Sequence, residues 1–102
     1  MLMTKRRPVA VGEILVEEFM RPLDLTQAAL AEAMGVQRKH VNELCNNRRG
    51  VTAATALILA RVFGNSPEFW LNLQRRNDLW EAMNSPRERK RIERAKPLGV
   101  AA

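Results

Sequence analysis

The sequence is poor in the side chains that most catalytic and metal sites require. Its 102 residues include one cysteine, one histidine and no tyrosine. A lone cysteine cannot form an intramolecular disulfide, and one cysteine with one histidine cannot close a structural zinc site. The only aspartates are Asp24 and Asp78, and the chain has neither a phosphate-cradling glycine loop nor a His-Glu-x-x-His motif. We therefore expect a protein that is not an enzyme and that holds no cofactor or metal ion.

Long hydrophobic runs are also missing. No stretch approaches the roughly 20 apolar residues that span a bilayer, and the basic start lacks the apolar segment and cleavage site of a signal peptide. Together with the single cysteine, this predicts a reducing, cytoplasmic location and no membrane partner. The length supports one small domain with one core, which disfavours a two-domain catalytic architecture.

Positive charge is concentrated at the two ends of the chain. The net charge is +6, of which residues 1–9 carry +3 and residues 85–102 carry +4. Residues 10–84 are nearly balanced at −1, yet they contain one local basic cluster. Its members are Arg38, Lys39, Arg48 and Arg49. Basic tails are usually solvated surface, so the internal cluster is the stronger indication of a binding role.

The pattern between the prolines and glycines predicts an all-α fold, because the apolar spacing is helical and shows no period of two. The predicted helices cover about residues 12–20, 27–34, 38–45, 53–63 and 67–83, with a short basic helix over about 86–95. The predicted N-caps are Thr26, Thr52, Ser66 and Ser85, and the predicted glycine stops are Gly35 and Gly64. In the fourth helix the spacing directs Ala56, Leu57, Ala60 and Phe63 inward.

Residues 27–46 fit a helix-turn-helix motif. A turn of about three residues around Gly35 joins two helices, which is too tight for a bundle hairpin, and Ala31 is small enough for the helices to cross closely. Seven positions agree with the motif at fixed spacing: Leu30, Ala31, Met34, Gly35, Val36, Val41 and Leu44. An ordinary helical hairpin is the alternative. The motif would place its second helix in a DNA major groove.

This motif predicts which polar side chains face DNA. Arg38 and Lys39 are the candidate base readers, because both can donate to guanine O6 and N7. Asn42 could pair with adenine, and Glu43 could either accept from cytosine or restrain Lys39 at helical spacing. For His40 a phosphate contact and a plain solvent-exposed imidazole are the two alternatives. The candidate backbone contacts are Gln27, Asn46, Asn47, Arg48 and Arg49.

The fifth helix carries more large apolar side chains than a small monomer readily buries. We expect a homodimer, which would set two recognition helices about 34 Å apart. The predicted dimer interface comprises Trp70, Leu79, Trp80 and Met83, whereas Phe69 and Leu73 are assigned to the core. The alternative is that all these side chains close the core over the first helix.

Four segments resemble HigA/VapI-type antitoxins with a Cro/C1-type helix-turn-helix: residues 12–15, 25–27, 53–57 and 66–74. The last, SPEFWLNLQ, is the most specific. The resemblance covers about residues 8–83 and has two departures. Ala10-Val11 stands where family members commonly have His-Pro, and the basic extension after Asn84 matches no family pattern.

The resemblance implies a lambda repressor-like domain of five helices over residues 10–83. A basic arm (1–9) would precede it, and a basic helix or tail (84–102) would follow. It implies a dimeric antitoxin that binds a palindromic operator, represses its own operon and neutralises a RelE-like HigB toxin, a ribosome-dependent mRNA endonuclease. Gln27, Arg38, Lys39, His40 and Glu43 would face the operator, with residues 46–49 on its backbone. The alternatives are a free-standing Cro/C1-type regulator without a toxin, and non-specific nucleic-acid binding through the basic tails.

Overall fold

The computed structural model describes residues 6–99, and the regular secondary structure in that range is entirely helical. The first helix, α1, spans Val11–Ile14 and continues as a π-helical segment over Leu15–Met20. The helices that follow are α2 (Gln27–Met34), α3 (Arg38–Cys45), α4 (Ala53–Phe63), α5 (Pro67–Asn84) and α6 (Pro86–Arg94). The all-α prediction is confirmed, with helix ends within about two residues of those expected. Residues 1–5 of the basic arm and 100–102 of the extension lie outside the described residues.

Local capping signals explain where most helices begin and end. The hydroxyl of Thr26 accepts the Ala29 N–H at 3.0 Å, and Thr52 caps α4 in the same way at 3.2 Å from Thr55. Gly35 ends α2 with a left-handed φ of 72°. Such caps satisfy backbone groups that a helix terminus leaves without an intrahelical partner. These boundaries could be predicted because each depends on residues close in sequence.

The start of α1 has a different kind of support. Ala10, its N-cap residue, offers no side-chain acceptor, and the Gly12 N–H instead donates to Asn47 Oδ1 at 2.8 Å. A Cβ on Gly12 would lie 2.4 Å from the Cys45 carbonyl oxygen and 2.5 Å from that of Leu44. Glycine is therefore required here so that α1 can pack directly against the C-terminal end of α3.

Aromatic rings surround Trp70 in the core. The Trp70 ring lies 4.8 Å from Phe19, 5.1 Å from Phe69 and 6.0 Å from Phe63, measured between centroids. Its indole N–H donates to Asn65 Oδ1 at 2.9 Å, which satisfies the one polar group that burial would otherwise orphan. Trp70 is fully buried within one chain. Its assignment to the dimer interface is therefore wrong, because no part of the ring is left for a partner.

Two further core assignments differ from the prediction. Leu57, which the helical spacing directs inward, is 61% exposed. Leu59 is the fully buried leucine of α4 instead. Phe69 is 39% exposed, so it lies at the rim of the aromatic cluster rather than inside the core. Both errors arise because helical spacing identifies a face of a helix but not how far the neighbouring helices cover it.

The described part of the basic arm packs against α5. Arg7 forms an ion pair with Glu81, and its guanidinium carbon lies 5.1 Å from the centroid of the Trp80 ring. Asn77 Nδ2 donates to the Val9 carbonyl at 3.0 Å. The arm is thus part of the fold from Arg7 onward.

Replacing Gly12 with alanine should lower the free energy of unfolding by about 1–3 kcal/mol, because the new methyl group meets two backbone carbonyl oxygens that cannot rotate away. Urea unfolding followed by circular dichroism measures this change. Gly50→Ala is the matched control, since a Cβ there would first meet the flexible Gln74 side chain at 3.4 Å. Equal losses in the two variants would contradict the steric explanation.

Candidate nucleic-acid interface

The α2–turn–α3 unit leaves one face of α3 open to solvent. The Val36 N–H donates to the Ala31 carbonyl at 3.0 Å across the glycine turn and so closes the C-terminal end of α2. On the inner side of α3, Val41 and Leu44 are buried at 0% and 2% exposure. Arg38 and Lys39, at the first two positions of the helix, are exposed. A duplex could therefore reach both cations without any rearrangement of the protein.

A side-chain hydrogen bond ties the start of α2 to the exposed face of α3. Asn42 Nδ2 donates to Gln27 Oε1 at 3.1 Å. The bond uses one of the two amide hydrogens of Asn42, so its second N–H and its oxygen are left for the paired contacts that an adenine edge requires. The structure thus brings together two predicted site residues that lie 15 positions apart.

Glu43 organises the loop that follows α3. Arg49 approaches Glu43 Oε1 with Nε at 2.9 Å and Nη2 at 2.8 Å, and the Arg48 N–H donates to the Glu43 carbonyl at 2.8 Å. The hydrogen bond from Arg49 lowers the pKa of Glu43, and the charge of Lys39 contributes more weakly in the same direction. Of the two alternatives for Glu43, restraint of Lys39 by an ion pair is not formed, because Glu43 Oε1 pairs with Arg49 instead.

Two asparagines predicted to contact the DNA backbone are used within the protein. Asn46 Nδ2 donates to the Asn42 carbonyl at 2.8 Å. Asn47, with a left-handed φ of 58°, turns its Oδ1 inward to Gly12. These bonds shape the loop over residues 46–50. They leave Arg48, which is exposed, and Arg49, whose side chain is 46% exposed, as the cations that the loop presents.

His40 differs from one of the two alternatives that the sequence leaves open. The residue is half-buried, and its Nε2 atom is covered without a hydrogen-bond partner among residues 6–99. Burial lowers the pKa of His40, and the positive charge of Arg49 lowers that pKa further, whereas Glu43 opposes the shift. The alternative of a plain solvent-exposed imidazole is wrong, because the Nε2 edge of the ring is covered. A phosphate contact by His40 stays a prediction.

Gln74 links this loop to α5 and was not singled out from the sequence. Its Oε1 accepts the Val51 N–H at 2.7 Å, and its Nε2 donates to Asp78 Oδ1 at 2.9 Å. The α5 side chains, the arm and the loop border one polar groove of about 490 Å³. Its charged lining residues are Arg7, Arg48, Arg49, Asp78 and Glu81. The only available sequence signal was the position of Gln74 at the end of the 66–74 segment.

Neither a metal-binding cluster nor a membrane-spanning helix occurs in the described part of the chain. Between residues 6 and 99, no group of three or more His, Cys, Asp or Glu side chains is placed to hold a metal ion. No helix in the same range is both long and apolar enough to cross a bilayer. Cys45 is half-buried beside Met20, and burial raises the pKa of its thiol.

Comparisons with known proteins agree with this geometry. A helix-turn-helix family model matches residues 16–70. The chain is 52% identical over 99 residues to antitoxin HigA-1 of Vibrio cholerae, covering 96% of this chain and 90% of that protein. Among solved structures, Pseudomonas aeruginosa antitoxin HigA with the higBA promoter has 39% identity and a TM-score of 0.81, covering 90% of this chain and 99% of that one. Antitoxin GraA in complex with its operator has 40% identity and a TM-score of 0.83, covering 99% and 100%.

The titration of His40 tests the arrangement around Arg49. Because the chain has one histidine, its imidazole signals can be followed by NMR without ambiguity. We expect a midpoint below the ordinary value of 6.5 in the folded protein. The unfolded chain then binds more protons, so this contribution to stability is present above pH 6.5 and is lost as the pH falls toward the lowered pKa.

Arg49→Gln should raise the pKa of His40, since it removes a nearby positive charge. Arg48→Gln, which makes the same charge change one residue earlier, is the control and should shift it much less. A wild-type midpoint at or above 6.5, or equal shifts in the two variants, would contradict this arrangement.

Proposed function

The chain belongs to the HigA/VapI-type antitoxins of the Cro/C1 helix-turn-helix family, and we propose that it binds operator DNA through α3 and represses the operon that encodes it. The relatives described above are antitoxins rather than enzymes, and the chain is not an enzyme. The observation that carries the proposal is the exposure of Arg38 and Lys39 at the start of a helix whose opposite face is buried. Two of the similar solved structures carry promoter or operator DNA.

In this proposal α3 reads bases and the surrounding elements hold the phosphate backbone. Arg38 and Lys39 are the base readers, because cationic donors at the start of a recognition helix reach guanine edges in the major groove. Asn42, oriented by Gln27, is the candidate adenine contact. Arg48 and Arg49 lie in the loop at the other end of α3, where positive charge contacts phosphates without reading sequence.

A homodimer would supply the second recognition helix. Leu79 and Met83 lie one helical turn apart on α5 and are 42% and 47% exposed, which is unusual for large apolar side chains in a small monomer. Trp80 lies between them in sequence and is half-buried under Arg7. We propose that these three residues, without Trp70, form the contact between two copies, and that the dimer binds a palindromic site in the cytoplasm.

The finer proposal is that the protein neutralises a RelE-like HigB toxin. Its support is the similarity to antitoxin HigA-1 over almost the whole of both chains, and it depends on family membership rather than on a particular side chain. A free-standing regulator of the same fold is the second candidate. It is favoured by the exposed cations of α3 and the loop that follows it, because they support DNA binding without requiring a toxin.

Changing Arg38 to alanine should weaken binding to the cognate operator by about 1–3 kcal/mol and leave binding to random DNA almost unchanged, because the lost contact is to a base. Electrophoretic mobility shifts on the intergenic DNA upstream of the gene measure both affinities. Arg48→Ala is the control, and it should weaken both duplexes alike. If Arg38→Ala also weakens both alike, Arg38 contacts the backbone and the proposed reading of bases fails.

The two functional candidates separate when the chain is produced together with the product of its neighbouring gene. An antitoxin should co-purify with a small toxin and should restore the growth that the toxin alone arrests. Arg38→Ala should retain this rescue, since it alters only the DNA surface. Failure of the wild-type chain to bind or rescue, with operator binding intact, would favour the free-standing regulator.

A further inference from the structure

The last helix, α6, is a preformed element rather than a solvated tail. Ser85 Oγ accepts the Glu88 N–H at 3.4 Å, and Pro86 occupies the first helical position, where proline costs no hydrogen bond. Glu88 also pairs with Arg91 at 3.1 Å. Glu88 in the first turn and Arg91 and Arg94 in the last turn each interact favourably with the helix dipole. A segment that only adds charge would need none of these features.

Four cations form one face of this helix. Arg87, Lys90, Arg91 and Arg94 follow the i, i+3, i+4, i+7 spacing and border a single shallow depression. Every residue of α6 is exposed except Glu88, which is half-buried and pairs with Arg91 at the edge of this face. The four-cation face, defined by these four residues, is therefore exposed along most of the length of α6.

The residues between the polar groove and α6 separate this face from the proposed operator contacts. Glu81 on α5 borders the same polar groove as Arg48 and Arg49. Beyond Glu81, α5 continues to Asn84, and α6 begins at Pro86 after the extended residue Ser85. The loop arginines and α6 are thus two separate basic areas, with Glu81 and the uncharged residues 82–85 between the groove and α6.

We propose that the four-cation face is a second DNA-binding surface, which holds phosphates outside the bases read by α3. The inference depends on the proposed DNA-binding function. The face is about 10 Å long at helical rise, which spans roughly three phosphates of one strand. A protein partner is the less suitable occupant, because the cores of protein interfaces are depleted of charge and enriched in aromatic residues. The only large apolar residue of α6, Ile92, is not among those that border the depression.

Two double variants that lower the net charge by the same amount test the proposal. Lys90→Gln with Arg94→Gln removes two cations from the face, and Arg89→Gln with Lys96→Gln removes two cations from outside it. All four residues are exposed, so neither double variant threatens the core. Binding to an operator duplex with ten extra base pairs on each side, and to random DNA of equal length, is measured between 50 and 200 mM salt.

The first double variant should reduce the slope of log K against log salt by about 1.8 on both duplexes, since each lost phosphate contact contributes about 0.9. The ratio of the wild-type affinity to the affinity of this variant should therefore fall about tenfold as the salt rises from 50 to 200 mM. The second double variant should leave the slope close to wild type. Preference for the operator should survive in both, because α3 is unchanged.

Each contrary result has a distinct meaning. Equal slope changes in the two double variants would show a general effect of net charge and overturn the proposal, as would no change in either. Loss of toxin co-purification in the first double variant alone, with an unchanged slope, would assign the face to a protein partner and also overturn it. If the wild type does not prefer the operator over random DNA, the proposed function fails. Even then, a slope change confined to the first double variant would support the four-cation face as a phosphate-binding surface.

Discussion

The packing of Gly12 against the end of α3 is the contact on which the geometry of the DNA-facing surface depends. No side chain larger than hydrogen fits there, since two carbonyl oxygens lie within 2.5 Å of a Cβ position. The same approach brings the Gly12 N–H to Asn47, whose left-handed backbone sets the course of the loop. Glu43 then holds Arg49, and Gln74 holds Val51. First helix, recognition helix, loop and α5 are thereby joined, so the loop arginines project from a supported surface.

The charge available to an anionic partner differs from the charge that the sequence suggests. Arg49 is paired with Glu43, and Arg7 is paired with Glu81. His40 has a lowered pKa and therefore stays neutral near pH 7. Within the DNA-facing cluster, Arg38, Lys39 and Arg48 are the exposed cations that form no ion pair with a carboxylate of residues 6–99. A phosphate near Arg49 would have to compete with Glu43 for the guanidinium, which weakens that contact. The ion pair also fixes the direction from which a phosphate can approach Arg49.

The sequence was sufficient for features that depend on neighbours along the chain, such as the caps at Thr26 and Thr52 and the glycine turn of the motif. The sequence is insufficient where the burial of a side chain depends on how far other helices cover it. Trp70 was assigned to an interface because its apolar bulk exceeded what one helix face could hide, yet Phe19, Phe63 and Phe69 surround it. Asn47 has a structural role that the sequence does not predict, since its Oδ1 accepts from a backbone group 35 residues away. Neither contact has a local sequence signal.

The two basic ends of the chain are equivalent in composition but not in structure. From Arg7 onward the arm is bound to α5, where the guanidinium lies on Trp80 and the backbone of Val9 accepts a hydrogen bond from Asn77. That arrangement uses its charge to stabilise the fold beside the proposed dimer surface. By contrast, α6 has a capped start, no buried residue and four cations on one side. Helical order restricts where those charges can go, so α6 can favour a particular path of the DNA backbone, whereas an unstructured tail of equal charge could only raise affinity everywhere.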